Sequence, residues 1–190
     1  KEWTSRPTGA CLSRLASTDE LCAGRIMLQK KICMLGAFSV GKTSLVRRYV
    51  ESIFSDSYLT TVGVKIDKKS LTVGGRDLNL ILWDIAGEDE VSAVRIGYLR
   101  GAAGYLLVAD GTRAQTLEVA RSIQSRAQAE VGAVPFLLLV NKCDLASEWA
   151  LSDESIGQLT AANWSVRRTS AKTGEGVEAA FQQLAEQIAG

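Results

Sequence analysis

Gly36-Ala37-Phe38-Ser39-Val40-Gly41-Lys42-Thr43 follows the pattern G-x-x-x-x-G-K-[ST], whose chemistry is the grip of a polyphosphate. Glycine at each end lets backbone N–H groups approach phosphate oxygens where a Cβ would intervene. Lys42 supplies a cation that reaches the β- and γ-phosphates, and the Thr43 hydroxyl is suited to Mg²⁺. Ser44 opens a helix-like run to Val50, whose positive end faces the anion.

Three further motifs could complete a site. In Asp84-Ile85-Ala86-Gly87, a carboxylate at a strand end can hold Mg²⁺, and Gly87 lets an N–H come close to a terminal phosphate. In Asn141-Lys142-Cys143-Asp144, the two oxygens of Asp144 match the N1–H and exocyclic NH₂ of guanine. Adenine offers an acceptor at that edge and leaves the carboxylate unpaired, a mismatch that such polar sites punish by up to ~10⁴–10⁵. The Lys142 methylenes can lie over the base, and Asn141 can tie this loop to the phosphate loop. In Ser170-Ala171-Lys172, the Ala171 N–H could donate to guanine O6. Taken singly, the last three motifs are ordinary turns. Their order, each behind a strand-like run, gives them weight.

Positioning these groups falls to alternating strands and helices. The apolar runs Lys31–Leu35, Tyr105–Ala109 and Phe136–Val140 read as strands covered on both faces. Val64–Val73 and Arg76–Trp83 flank Gly74-Gly75, a hairpin signal. Helices are expected to about Glu51, over Ala114–Glu130 and over Glu175–Ile188, with another after a Ser152 N-cap and a helix-like run ending near Arg100. A last strand is expected over Trp164–Thr169. Such alternation predicts a mainly parallel α/β sheet that binds ligands at the carboxyl ends of its strands.

Composition narrows the chemistry. The 190 residues are 46% hydrophobic and 23% charged, enough for one packed domain. A net charge of +1 gives no bulk reason to expect nucleic-acid binding. With no histidine, Ser-His-Asp and Cys-His catalysis are excluded. Cys11, Cys22, Cys33 and Cys143 include no C-x-x-C pair and read as free thiols of a reducing compartment. No apolar run is long enough to span a bilayer. Residues 1–26 are expected to be an extension, flexible or artificial in origin, ahead of a domain at 27–190. The last residues carry no prenylation cysteine, so either no lipid is attached there or a tail lies beyond Gly190.

From about Lys30 to Ala189 the chain resembles the Ras superfamily of small GTPases, nearest in style to its Rab branch. The resemblance implies a P-loop NTPase fold of the small G-domain type, with six strands, one of them an antiparallel edge strand, and about five helices on both faces. It implies a GTP/GDP switch with Mg²⁺. Tyr58-Leu59-Thr60-Thr61-Val62-Gly63 matches the first switch, with Thr61 on Mg²⁺ and the γ-phosphate, Tyr58 over the phosphates and Phe54 against the base. Residues 86–97 match the second switch. Lys42, Thr61, Gly87 and Glu88 take the catalytic positions. Implied partners are effectors, exchange factors and activating proteins at the switches. A monomer in the cytoplasm is expected, or one held at a membrane through a partner.

Two departures bear on mechanism. Glu88 stands where the family places the glutamine that orients the attacking water. A carboxylate cannot donate toward the γ-phosphate, so either hydrolysis is slow or Glu88 acts as a base. Phe38 occupies a phosphate-loop position where the family favours a small residue. Either it crowds the γ-phosphate and an incoming arginine, or it turns outward. Two rivals therefore stand beside the hydrolytic switch: a GTP-binding interaction module that scarcely hydrolyses, and an ATP-using enzyme, which Asn141 and Asp144 disfavour.

Overall fold

The computed structural model describes residues 27–55, 61–87 and 96–190. The element order is β1 (Leu28–Gly36), α1 (Lys42–Glu51), β2 (Val64–Val73), β3 (Arg76–Ile85), β4 (Gly104–Asp110), α2 (Gln115–Val131), β5 (Phe136–Asn141), α3 (Asp153–Ala161), β6 (Val166–Arg168) and α4 (Val177–Ala189). Two 3₁₀ turns, Ile96–Leu99 and Ala146–Glu148, complete it. The expected extension at 1–26, Tyr58 and Glu88 lie outside the described residues.

The six strands form one sheet in the order β2-β3-β1-β4-β5-β6. Only β2 and β3 pair antiparallel; every other neighbour is parallel. The hairpin turns at Gly74 and Gly75, whose φ of 54° and 77° need glycine's freedom. Strand periodicity then sorts the core. Along β1, Ile32 and Met34 face one cluster with α1 and α4, while Cys33 and Leu35 face another with α2 and α3. All seven residues of β4 are buried, as a strand covered on both faces requires. On α4, Val177, Phe181, Leu184 and Ile188 form the buried stripe. Phe181 stacks on Tyr49 of α1 with ring centroids 4.0 Å apart.

Two expectations needed correction. Among the described residues there are four α-helices rather than about five. The helix-like run ending near Arg100 is described only as the 3₁₀ turn Ile96–Leu99, where Gly97 and then Gly101 at φ 75° favour a break. The last strand is also shorter than Trp164–Thr169. As an edge strand it pairs only with Leu138–Val140, and Trp164 instead packs edge-on against Phe136. The Cys33 thiol is free and buried, and burial pushes it up to about 12, which makes it inert. Cys143 is free and half-buried.

From β1 the chain proceeds to β3 on one side and later to β4 on the other. The strand order thus reverses at β1, and a crevice opens at the carboxyl ends there.

Candidate functional site

A cavity of about 320 Å³ opens at that crevice. Phosphate-loop residues Phe38, Ser39, Gly41, Lys42, Thr43 and Ser44 line one end. Asn141, Lys142, Asp144, Ala171 and Lys172 line the other, and Phe54, Thr61 and Gly87 close the sides. Gly36, Ala37, Val40, Asp84 and Ser170 support the wall from behind; the last three are fully buried.

Local geometry explains the phosphate loop. Gly36 has φ 145°, and a Cβ there would lie 2.2 Å from Val108 O. Gly41 has φ 97°, and its Cβ would lie 2.3 Å from Asn141 Nδ2. Neither position admits a side chain. Ser39 and Lys142 hold left-handed backbone angles without being glycine, with φ of 63° and 68°. Strain of this kind gathers where a loop is shaped for a ligand. Helix α1 has no side-chain cap and no acidic residue in its first turn. By contrast, Ser152 Oγ caps α3 by accepting from Ser155 N–H at 3.1 Å, and Asp153 and Glu154 follow. The leading N–H groups of α1 are left for an anion.

Lys42 donates to Gly36 O at 3.1 Å and Ala37 O at 2.9 Å from a buried position. Burial pushes its ammonium down to about 8, against the pull of the Asp84 carboxylate. Gly87 packs against it: a Cβ on Gly87 would lie 2.7 Å from Lys42 Nζ and 2.6 Å from Phe38 Cα.

Beneath Lys42, three side chains converge. The Thr43 hydroxyl donates to Asp84 Oδ2 at 2.6 Å and lies 2.6 Å from Thr61 Oγ1. Asp84 is fully buried, and its Oδ1 has no hydrogen-bond partner among the described residues. Burial raises this carboxyl, while hydrogen bonds from Thr43 and the Lys42 charge oppose the rise. An orphaned carboxylate oxygen beside two hydroxyls is an all-oxygen donor set and fits a hard divalent cation. The described residues hold no cluster of three His, Cys, Asp or Glu, so protein groups alone would not cage the ion. Phosphate oxygens would have to complete its shell, as is usual for Mg²⁺.

At the far end, Asn141 Nδ2 donates to Val40 O at 2.9 Å and joins the two loops. Asp144 accepts from Ser170 Oγ at 2.5 Å and presents its remaining capacity to the cavity. The Ala171 N–H already donates to Asn141 Oδ1, at 3.2 Å, so a purine O6 would have to share it.

Two residues of this end escaped the sequence reading. Asp110, fully buried at the end of β4, accepts from Lys142 at 2.7 Å and from Arg113 at 2.9 Å. Arg113 also donates to Phe38 O at 3.1 Å. Phe38 lines the cavity and is 38% exposed. The available signal was an Asp closing an apolar strand, as at Asp84.

The model of the Ras family matches residues 31–190. Ras-related protein Rab-13 of Canis lupus familiaris is 34% identical over 164 residues, covering 83% of this chain and 79% of the relative. Human Ras-related protein Rab-8B is 31% identical, over 83% of this chain and 77% of its own length. Rab-10 of Caenorhabditis elegans is 30% identical over 161 residues, with coverage of 83% and 80%.

Proposed function

The chain belongs to the Ras family of GTP-binding switch GTPases, and on that premise we propose a Mg²⁺-dependent GTP/GDP switch with slow intrinsic hydrolysis. One observation carries the reading: Lys42 and Asp144 line the same cavity, a cation for polyphosphate at one end and a carboxylate for a purine's amino edge at the other. The N–H groups from Gly36 to Ser44 and of Gly87 bind the phosphates. Phe54, Lys142 and Lys172 flank the base, and Asn141, Asp144, Ser170 and Ala171 fix its edge.

Thr43, Thr61 and Asp84 would hold Mg²⁺, which would supply neutralising charge to the polyphosphate. Lys42 stabilises the same charge from the loop side. The γ-phosphate draws Thr61 and Gly87 inward, so both switches order in the GTP state and relax after hydrolysis. Glu88 accepts a hydrogen bond from the attacking water but donates none to the phosphate, which keeps turnover low. Effectors read the first switch and the β2–β3 hairpin. No helix among the described residues is long and apolar enough to cross a membrane.

Phosphate release from Mg²⁺·GTP by wild type and by Lys42→Ala tests this reading. Release by wild type alone supports it, and equal release by both removes Lys42 from the mechanism. The exposed Phe38 on the cavity lining favours a second reading, a GTP-binding interaction module with little hydrolysis. Rapid single-turnover hydrolysis by wild type rules that reading out.

A further inference from the structure

Arg48 projects from α1 and reaches two separate segments. Its Nε donates to Ala171 O at 2.8 Å, and its Nη2 donates to Lys172 O. Its Nη1 donates to Ser52 O at 3.3 Å, while Ser52 N–H donates back to Arg48 O at 3.1 Å. Ser52 lies in the left-handed region at φ 58° and turns the chain toward Ile53 and Phe54 on the cavity. Arg47 lines the cavity but Arg48 does not, so Arg48 works from behind the wall.

The loop it holds aims Asp144. Ser170 precedes the two gripped carbonyls, donates its hydroxyl to Asp144 Oδ1 at 2.5 Å and accepts Thr173 N–H at 3.1 Å. Gly174, at φ 90°, lets the loop return past Arg48, with its Cβ position 3.7 Å from Arg48 Cδ. A guanidinium offers five donors in a planar fork, and bonds from a charged donor are stronger than neutral ones. A lysine or a neutral side chain cannot reach all three carbonyls in one plane.

We propose that Arg48 is a positioning residue for base recognition: it fixes the Ser170–Lys172 loop and the Ser52 turn in one frame, so that Asp144 is held at the angle a 2-aminopurine edge requires. The proposal rests on the guanine-nucleotide reading and adds a residue that touches no nucleotide.

The test compares dissociation constants for GDP and IDP in wild type, Arg48→Ala and Arg48→Gln, with ADP as control. IDP lacks only the amino group that Asp144 would accept from. Wild type is expected to prefer GDP over IDP and to reject ADP. Losing the fork should shrink the GDP-over-IDP preference by about five- to tenfold, the scale of one ordinary hydrogen bond, because Asp144 is misaimed rather than removed. If Arg48→Ala does not fold, Arg48→Gln, with a shorter and neutral donor, carries the comparison. A purely structural role would lower the melting temperature and leave the GDP-to-IDP ratio unchanged, and that outcome overturns the proposal. Wild type binding GDP and ADP alike would instead overturn the guanine reading itself, and the Arg48 role with it.

Discussion

The side-chain amide of Asn141 donates to the backbone carbonyl of Val40 at 2.9 Å, joining two loops 101 residues apart in the chain. The loop that would select the base is thereby fastened to the loop that would hold the phosphates. Asn141 also accepts from Ala171 N–H and Thr169 Oγ1, so one buried amide organises three segments. Replacing Asn141 with Ala strips partners from buried polar groups, at about 1–3 kcal/mol each. A lower melting temperature and at least tenfold faster GDP release are expected, read by thermal denaturation and by displacement of a fluorescent nucleotide.

Gly87→Ala tests the closure over the phosphate loop. A methyl group there meets Ala37 O and Phe38 Cα at 2.6 Å, which are backbone neighbours that cannot rotate away. The second switch should then fail to close. Single-turnover GTP hydrolysis is expected to fall about a hundredfold, as for loss of one oxyanion-type donor, with GDP affinity changed much less. A parallel loss of GDP affinity would place the defect in the phosphate loop instead.

Asp110 gives a pH signature. Burial alone would raise its carboxyl, but the Lys142 ammonium and the Thr112 hydroxyl and N–H outweigh burial and hold it below the ordinary value. A depressed folded-state value means that the stabilisation is complete above the unfolded carboxylate's pKa, about 3.9, and is lost as pH falls through the folded value. Asp110→Asn should cost about 1–3 kcal/mol at pH 7, because Lys142 and Arg113 lose a buried anionic partner but keep part of their surface in water. The gap between wild type and variant should close on acidification below about pH 4 and stay constant above about pH 5, followed by urea denaturation.

Glu88→Gln restores a side chain that can both accept from water and donate to phosphate. Its single-turnover rate is expected to exceed that of wild type by about tenfold or more, up to the ~10²–10⁴ of a well-placed general catalyst. A slower variant would mean that Glu88 serves as the base.

Much of this arrangement was legible in the sequence, for identifiable reasons. Tyr105–Ala109 and Phe136–Val140 announced buried strands because a strand covered on both faces has no polar side. Gly74-Gly75 announced the hairpin because few other residues take those angles. The phosphate loop was legible because its chemistry is carried by contiguous residues. Arg48 was not, because its partners are main-chain carbonyls 123 and 124 residues away that no side-chain pattern marks. Asp110 was hidden for a related reason: an Asp closing an apolar strand was the only signal, and its role emerges only when Lys142 and Arg113 fold onto it. The short β6 was misjudged because apolar content alone does not show how few residues an edge strand pairs.

The most direct measurement is calorimetric titration of the nucleotide-free protein with GDP and with ADP in the presence of Mg²⁺. With Lys42 and Asp144 serving one ligand, GDP should bind at least about 10³-fold more tightly than ADP, inside the range open to a hydrogen-bonding site. Equal affinities for the two, or no binding of either, would contradict the account.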